Sequence, residues 1–275
     1  MATTLTKKKQ EHLKMKYGPM ALVTGATSGI GLAIAQQLAQ CGLDLVITAR
    51  TTSALDRLKN QLESTHGITV IALTADLSNE QSTDAFIKSI HAYHIGLAVL
   101  CAGYGTSGLF MQSKLDEEVN MLRLNCEAVL KLSHYFTKVF HAWKKGGIIF
   151  FSSIVAYQGV PHAAHYAATK AYIQSLGEAL AIELKPYDVD VLVAAPGPVK
   201  TGFEQRANLQ MNGAMLPEII AVPILKALGK KSSVWPGFLS KLLIGSLHTL
   251  PRFLKIRIMQ KIMGGMTKHQ RTTAF

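Results

Sequence analysis

"ALVTGATSGIGLAIAQQLAQCG", residues 21–42, passes from a short apolar run through three glycines into a segment whose apolar residues recur at helical spacing. A strand that turns straight into a helix is one βα unit. The strand is apolar throughout rather than alternating, as a strand buried on both faces should be. Gly25, Gly29 and Gly31 occupy the turn itself. Glycines there let backbone approach an anion closely, and the free N–H groups and dipole of the following helix face it. The spacing is Gly-x-x-x-Gly-x-Gly, not the commoner Gly-x-Gly-x-x-Gly.

Working outward, the alternation repeats. "DLVITA" precedes "TTSALDRLKNQLESTHG", "ITVIALTAD" precedes "SNEQSTDAFIKSIHAYH", and "LAVLCAG" precedes a long helical stretch from about 113 to 143. "GIIFFSS", a helix containing Tyr166, and "DVLVAAPG" follow. Strands and helices in alternation with short connections imply a parallel sheet with helices on both faces. No repeat at 20–50 residues and no linker divides residues 17–235, so this stretch reads as one α/β domain. "PEIIAVPILKALG" reads as a helix despite Pro223, and "SSVWPG" as a last edge strand.

Composition narrows the class. Hydrophobic residues make up 48% of the 275, which suits a globular body. The net charge of +12 lies at the two ends. Residues 1–16 form a basic segment with five lysines against Glu11; beyond Glu218 there are ten lysines and arginines and no acid. The body between is close to neutral, which argues against a nucleic-acid partner. The three cysteines, Cys41, Cys101 and Cys126, suit neither a disulfide framework nor a zinc site, and point to a reducing, cytoplasmic setting. No metal is expected. The N-terminal charge lacks the apolar core of a signal peptide, and no apolar stretch reaches the roughly 20 residues of a spanning helix.

Two further stretches carry chemistry. The second strand ends in "ITART", with Arg50 and Thr51 where binding of NAD commonly uses a carboxylate. An arginine fork there would grip a 2′-phosphate, so the expected cofactor is NADP(H). "SSIVAYQGVPHAAHYAATK", residues 152–170, places Tyr166 four residues before Lys170 and thirteen after Ser153. Tyr166 and Lys170 then share one helix face. The lysine cation, with the charge of oxidised nicotinamide, would draw the phenol pKa down from about 10, and Ser153 would hydrogen-bond a substrate oxygen. His162, His165 and Tyr157 read as pocket lining, as do Phe110 and Met111.

In order and spacing these segments resemble the short-chain dehydrogenase/reductases in their classical form, over residues 20 to about 202. The resemblance implies a single Rossmann-type doubly wound sheet of about seven strands. It assigns "TGATSGIG" (Gly25, Thr27, Ser28, Gly29, Ile30, Gly31) to the cofactor turn, and "ADLS" (Asp76, Leu77) to the adenine. It places Ala102 and Gly103 beside the cofactor and "PGPVKT" (Pro196, Gly197, Val199, Thr201) across the nicotinamide. Asn125, Ser153, Tyr166 and Lys170 fall on the four catalytic positions. Asn125 would hold a water linking Lys170 to solvent, and Lys170 would contact the nicotinamide ribose. Leu100 and Cys101 depart from the family's two asparagines, which puts the local polar ties of the sheet in question. A substrate lid over 198–215 and a homodimer or homotetramer, through the 113–143 stretch and the Tyr166 helix, are also implied.

The expected activity is NADPH-dependent reduction of a ketone, or the reverse, on an apolar fatty-acyl or steroid-like molecule. Tyr157, with Ser153 and Tyr166, would meet that substrate. The competing reading is a silent NADP(H)-binding regulator that acts through its basic tail. Residues 236–275 form an apolar, basic extension, broken at Pro251. It would pack across the substrate site or a partner subunit, or its 236–264 portion would lie on an anionic membrane.

Overall fold

The computed structural model describes residues 4–211, 213–237 and 250–271. Seven strands form one parallel sheet in the order β3-β2-β1-β4-β5-β6-β7. They are β1 (Met20–Thr24), β2 (Asp44–Ala49), β3 (Val70–Thr74), β4 (Ile95–Leu100), β5 (Gly146–Phe151), β6 (Val189–Ala194) and β7 (Ser233–Val234). The order reverses after β3, where β4 pairs with the other side of β1. That reversal opens a crevice at the carboxyl ends of the strands.

Both faces of the sheet are dry. Ala21, Val23, Leu45 and Ile47 point into one apolar cluster; Leu22, Val46, Ala98 and Leu100 point into the other. A continuous apolar run in sequence is therefore an alternating one in space. The first cluster is closed by α1 (Lys7–Tyr17), α2 (Gly29–Gln40), α3 (Thr52–His66) and a later helix, Pro217–Ala227. The second is closed by α4 (Glu80–Ile90), by a run comprising α5 (Leu115–Leu122) and α6 (Ala128–Trp143), and by α7 (Ala164–Glu183).

Three elements depart from the sequence reading. β3 is an edge strand, so "VIALT" is only half-buried although it is as apolar as its neighbours. The 113–143 stretch is helical but broken in register: Arg123–Glu127 is a π-turn that joins α5 to α6. The basic N-terminal segment is tied into the core, since α1 buries Leu13 and Tyr17 completely. Its outer face keeps the charge. Among the described residues no helix is long and apolar enough to cross a membrane.

Tyr17 shows why α1 holds. Its hydroxyl donates to Asp190 Oδ2 at 2.6 Å, and Lys16 pairs with the same carboxylate at 2.7 Å. Its ring lies against Gly147 of β5, where a Cβ would come within 2.9 Å of Cε1. Tyr17→Phe is expected to cost about 1.5–3 kcal/mol, the worth of a hydrogen bond to a charged group. Tyr17→Ala is expected to cost about 3–5 kcal/mol because it also opens a cavity. Urea unfolding of the three proteins checks both, and equal stability of wild type and Tyr17→Phe would remove Asp190 from the account.

Candidate active site

A cavity of about 720 Å³ runs along the carboxyl ends of the strands. Every cofactor residue nominated by the sequence lines it, from Gly25 to Thr201, together with Ser153, Tyr157, Tyr166 and Lys170. Asn125 is the exception and lies behind the wall, 1% exposed.

The glycine turn shapes one end. Gly25 (φ +66°) and Gly29 (φ +55°) adopt left-handed backbone that other residues rarely tolerate. A Cβ on Gly29 would also lie 2.8 Å from Thr201 Cγ2. The turn after β1 thus meets the segment after β6 directly. Beyond it, Asp76 Oδ1 is held by the Ser78 hydroxyl at 2.7 Å. Arg50 is exposed on the cavity and makes no ion pair or side-chain hydrogen bond among the described residues. Left-handed glycines at a helix N-terminus, with an uncommitted arginine beside them, fit a phosphorylated dinucleotide.

The departure at Leu100 and Cys101 is compensated locally. Leu100 packs in the second cluster, and Thr24 supplies the polar tie between β1 and β4. Its hydroxyl accepts from Ala102 N at 3.0 Å and donates to Val99 O at 3.4 Å. Cys101 lines the cavity as a neutral thiol, its pKa pushed up to about 12 by burial.

The reactive side chains come from two elements. α7 starts at Ala164, so Tyr166 and Lys170 lie one turn apart. Ser153 ends the loop after β5 and starts a short 3-10 turn, its hydroxyl accepting from Val155 N at 3.4 Å. Lys170 Nζ donates to Phe151 O at 2.9 Å, and Ser152 Oγ to Lys170 O at 3.0 Å, which locks α7 to β5. The π-turn aims Asn125 inward. Its Nδ2 donates to Tyr104 O at 2.8 Å and Thr169 Oγ1 at 3.1 Å, while Oδ1 accepts from Tyr104 N at 3.1 Å. A Cβ on Gly103 would sit 3.0 Å from Asn125 Oδ1 and 3.5 Å from Lys170 Nζ, so glycine leaves a polar-lined space between them.

Burial dominates the titration of this group. The Tyr166 phenol is pushed up to about 12 by desolvation, with the Ser153 hydroxyl opposing. Lys170 is lowered to about 8 by desolvation, against the pull of Cys101 and Cys126. Lys170 Nζ lies 5.8 Å from the Tyr166 ring centroid and donates one hydrogen bond to Phe151 O.

The roof comes from residues that the sequence reading left in outline. Pro198–Met215 closes on itself, with Lys200 N donating to Met215 O at 2.7 Å and Met215 N to Pro198 O at 3.0 Å. Within it α8 (Phe203–Arg206) sets the Phe203 ring 5.3 Å from that of Tyr166. After α9 (Pro217–Ala227), α10 (Arg252–Met266) lays Met259 and Met263 on Val155, Val160, Ala163 and Ala167. The described part of the tail thus packs across the cavity; residues 238–249, the other part of the proposed membrane stretch, lie outside the described residues. α11 (Lys268–Arg271) fastens the roof: Gln270 Nε2 donates to Ser107 Oγ at 2.8 Å and Asn208 O at 2.6 Å.

Several expected lining residues stand elsewhere. Met111 is 88% exposed, and Phe110 packs edge-on to His165 outside the cavity. His165 faces α5, its Nδ1 2.7 Å from the buried Glu118 carboxylate, so it is a helix–helix tie rather than pocket lining. His162 is likewise not among the cavity residues, and its carbonyl accepts from Gly108 N at 2.8 Å. Tyr157 does line the cavity, with its hydroxyl held by Trp235 Nε1 at 2.8 Å. Among the described residues no cluster of metal-ligating side chains occurs. Tyr104, Phe203 and the methionines of α10 went unread because they lie in loops or in a tail whose apolar face had two possible targets.

Residues 19–212 match the model of the family described as short chain dehydrogenase. The chain is 28% identical over 233 residues to a 7beta-hydroxysteroid dehydrogenase of Mediterraneibacter gnavus, covering 82% of this chain and 88% of that protein. It is 34% identical over 195 residues to a very-long-chain 3-oxoacyl-CoA reductase of Neurospora crassa, covering 69% of this chain and 59% of that protein. Among solved structures, one from a study of 7beta-hydroxysteroid dehydrogenase stereoselectivity superposes with a TM-score of 0.83 at 26% identity, over 90% of this chain and 98% of that one. A short-chain dehydrogenase from Sphingobium yanoikuyae in complex with NADPH gives 0.77 at 27%, over 86% and 97%.

The depressed Lys170 has a thermodynamic consequence. Its folded pKa of about 8 lies below the ordinary 10.5. Burying the cation therefore destabilises the fold fully below pH 8, and the penalty fades as pH rises towards 10.5, where the unfolded chain also loses the proton. Lys170→Met should gain stability relative to wild type at pH 7, by less at pH 10. Losing the bond to Phe151 reduces the gain but not its pH slope. Denaturant unfolding at both pH values reads this, and a gain that grows with pH would contradict the burial argument.

Proposed function

The chain belongs to the short-chain dehydrogenase/reductase family and acts on CH–OH and C=O groups, and from that premise we propose that it is an NADPH-dependent carbonyl reductase with Tyr166 as proton donor. The observation that carries the reading is the buried phenol. Tyr166 lines the cavity one helical turn from Lys170 and beside Ser153, and it holds a proton near neutral pH, as a donor in reduction must. When bound, the dinucleotide supplies the hydride. The Ser153 hydroxyl hydrogen-bonds the substrate oxygen as negative charge develops, and Tyr166 protonates it. Lys170, on the same helix face, steadies the transient phenolate. Asn125 holds the loop after β4 and, through Thr169, the turn of α7 that carries both residues. The roof formed by α8 and α10 excludes water.

The preference for NADPH rests on Arg50, which makes no ion pair or side-chain hydrogen bond among the described residues, and the relative holding NADPH supports it. An apolar substrate is supported by the cavity wall of Leu209, Met211, Met259, Ile262, Met263 and Met266. Thioether-rich walls adapt to bulky apolar shapes. The steroid and long-chain acyl substrates named for the two relatives are of that kind. Exposed Leu122, Leu130, Tyr172 and Ile182 on the outer faces of the α5–α6 run and α7 support assembly into a homodimer.

Two measurements test the reading. NADPH is expected to bind at least about tenfold more tightly than NADH, and Arg50→Ala to erase the difference. A wild-type chain that binds both equally would remove Arg50 from the cofactor site. Tyr166→Phe is expected to lower turnover of a bulky ketone by about 100-fold or more, with NADPH affinity within a few-fold of wild type. Turnover retained in that variant would remove Tyr166 as the donor.

A further inference from the structure

The lid carries a second arginine with no task in this scheme. Arg206 ends α8 and lines the cavity, its guanidinium 5.7 Å from the ring centroid of Tyr104. Its side chain makes no ion pair and no hydrogen bond among the described residues. Tyr104 belongs to the loop after β4, and Arg206 to the lid after β6, with β5 between them. The Arg206–Tyr104 contact therefore spans the cavity from the β4 side to the β6 side. The root of the lid crosses it too, since Thr201 packs on Gly29 in the turn after β1.

The electrostatics of the crevice are one-sided. Asp76, at the β3 end, is the sole carboxylate that lines the cavity among the described residues. A pyrophosphate at the glycine turn would have the N–H groups of α2 beneath it. On the same cavity the lid presents a planar fork of donors, Arg206, which matches phosphate oxygens in pairs. Tyr104 holds that fork against the loop after β4. Its phenol is itself anchored, donating to Glu117 O at 2.8 Å. A cation resting on an aromatic face is held weakly enough to be drawn onto an anion.

We infer that Arg206 grips the pyrophosphate of the dinucleotide, with Tyr104 as its seat, so that cofactor binding orders the lid. This rests on the dinucleotide reading above and adds a residue and a coupling to it. Arg50 and Arg206 then do different work. Arg50 distinguishes NADPH from NADH, whereas Arg206 contacts a group the two share.

The test is titration of full-length wild type, Arg206→Ala, Arg206→Lys and Tyr104→Leu with NADPH and with NADH, followed by dinucleotide fluorescence. Hydrogen exchange of residues 200–211 is measured in parallel, with and without NADPH. Arg206→Ala is expected to weaken both dinucleotides by the same factor, roughly 10- to 100-fold. Arg206→Lys should recover part of the loss, and Tyr104→Leu should lose less than Arg206→Ala. The lid should gain protection with NADPH in wild type and little in Arg206→Ala. Loss for NADPH alone would overturn the inference, because Arg206 would then read the 2′-phosphate. Unchanged dinucleotide affinity with a raised KM for the carbonyl substrate would overturn it in favour of the substrate end. A wild type that binds neither dinucleotide would overturn the cofactor reading as well, which separates the two failures.

Discussion

The close approach of backbone at the turn after β1 is the constraint on which the rest of the site depends. Gly25 and Gly29 hold left-handed backbone, and a Cβ on Gly25 would come within 3.0 Å of Ala102 Cα. The same turn meets Thr201 through Gly29. One short stretch therefore sets the distance from β1 to the end of β4 and to the root of the lid. With side chains there, both would stand off, and the crevice would widen where an anion must be held. Parallel pairing does the remaining alignment, because it brings the carboxyl ends of all the central strands to one edge.

Burial then decides the chemistry of what lies at that edge. The same desolvation pushes Tyr166 up and Lys170 down, so in this chain both groups are driven towards their neutral forms. The cost of holding Lys170 is met by the Phe151 carbonyl and by the close fit of α7 against β5, not by an opposite charge. An acidic partner would have restored the cation and stiffened the site electrostatically, and none lines this end of the cavity among the described residues.

Much of this was legible in the sequence, for identifiable reasons. Buried parallel strands advertise themselves as unbroken apolar runs, and the glycine turn and the Tyr166–Lys170 spacing are local, so their geometry follows from the helix period. What escaped is non-local. Nothing in residues 7–17 marks Tyr17 as the residue that reaches Asp190 across the whole chain. His165 looks like pocket lining until Glu118 is brought against it by the packing of α5 on α7. Phe110 and Met111 are apolar but sit on the outside, whereas the cavity takes its apolar wall from α10, nearly 150 residues later. Spacing likewise shows that Lys170 is near Tyr166, but not that it also reaches the Phe151 carbonyl.

The tail resolves into two jobs once it is placed. Met259 and Met263 face inward and complete the wall beside Tyr166, while Arg257 and Lys261 remain exposed. An amphipathic segment without any acid is what this arrangement needs, since a carboxylate facing the cavity would repel an anionic cofactor sharing the crevice. The fastening of the roof includes neutral hydrogen bonds. Gln270 bridges Ser107 and Asn208, and Gln210 N donates to Met266 O at 3.0 Å, so the tail joins the loop after β4 to the lid through neutral hydrogen bonds. Such bonds net only about 0.5–1.5 kcal/mol each. A roof held by such contacts can open at modest cost.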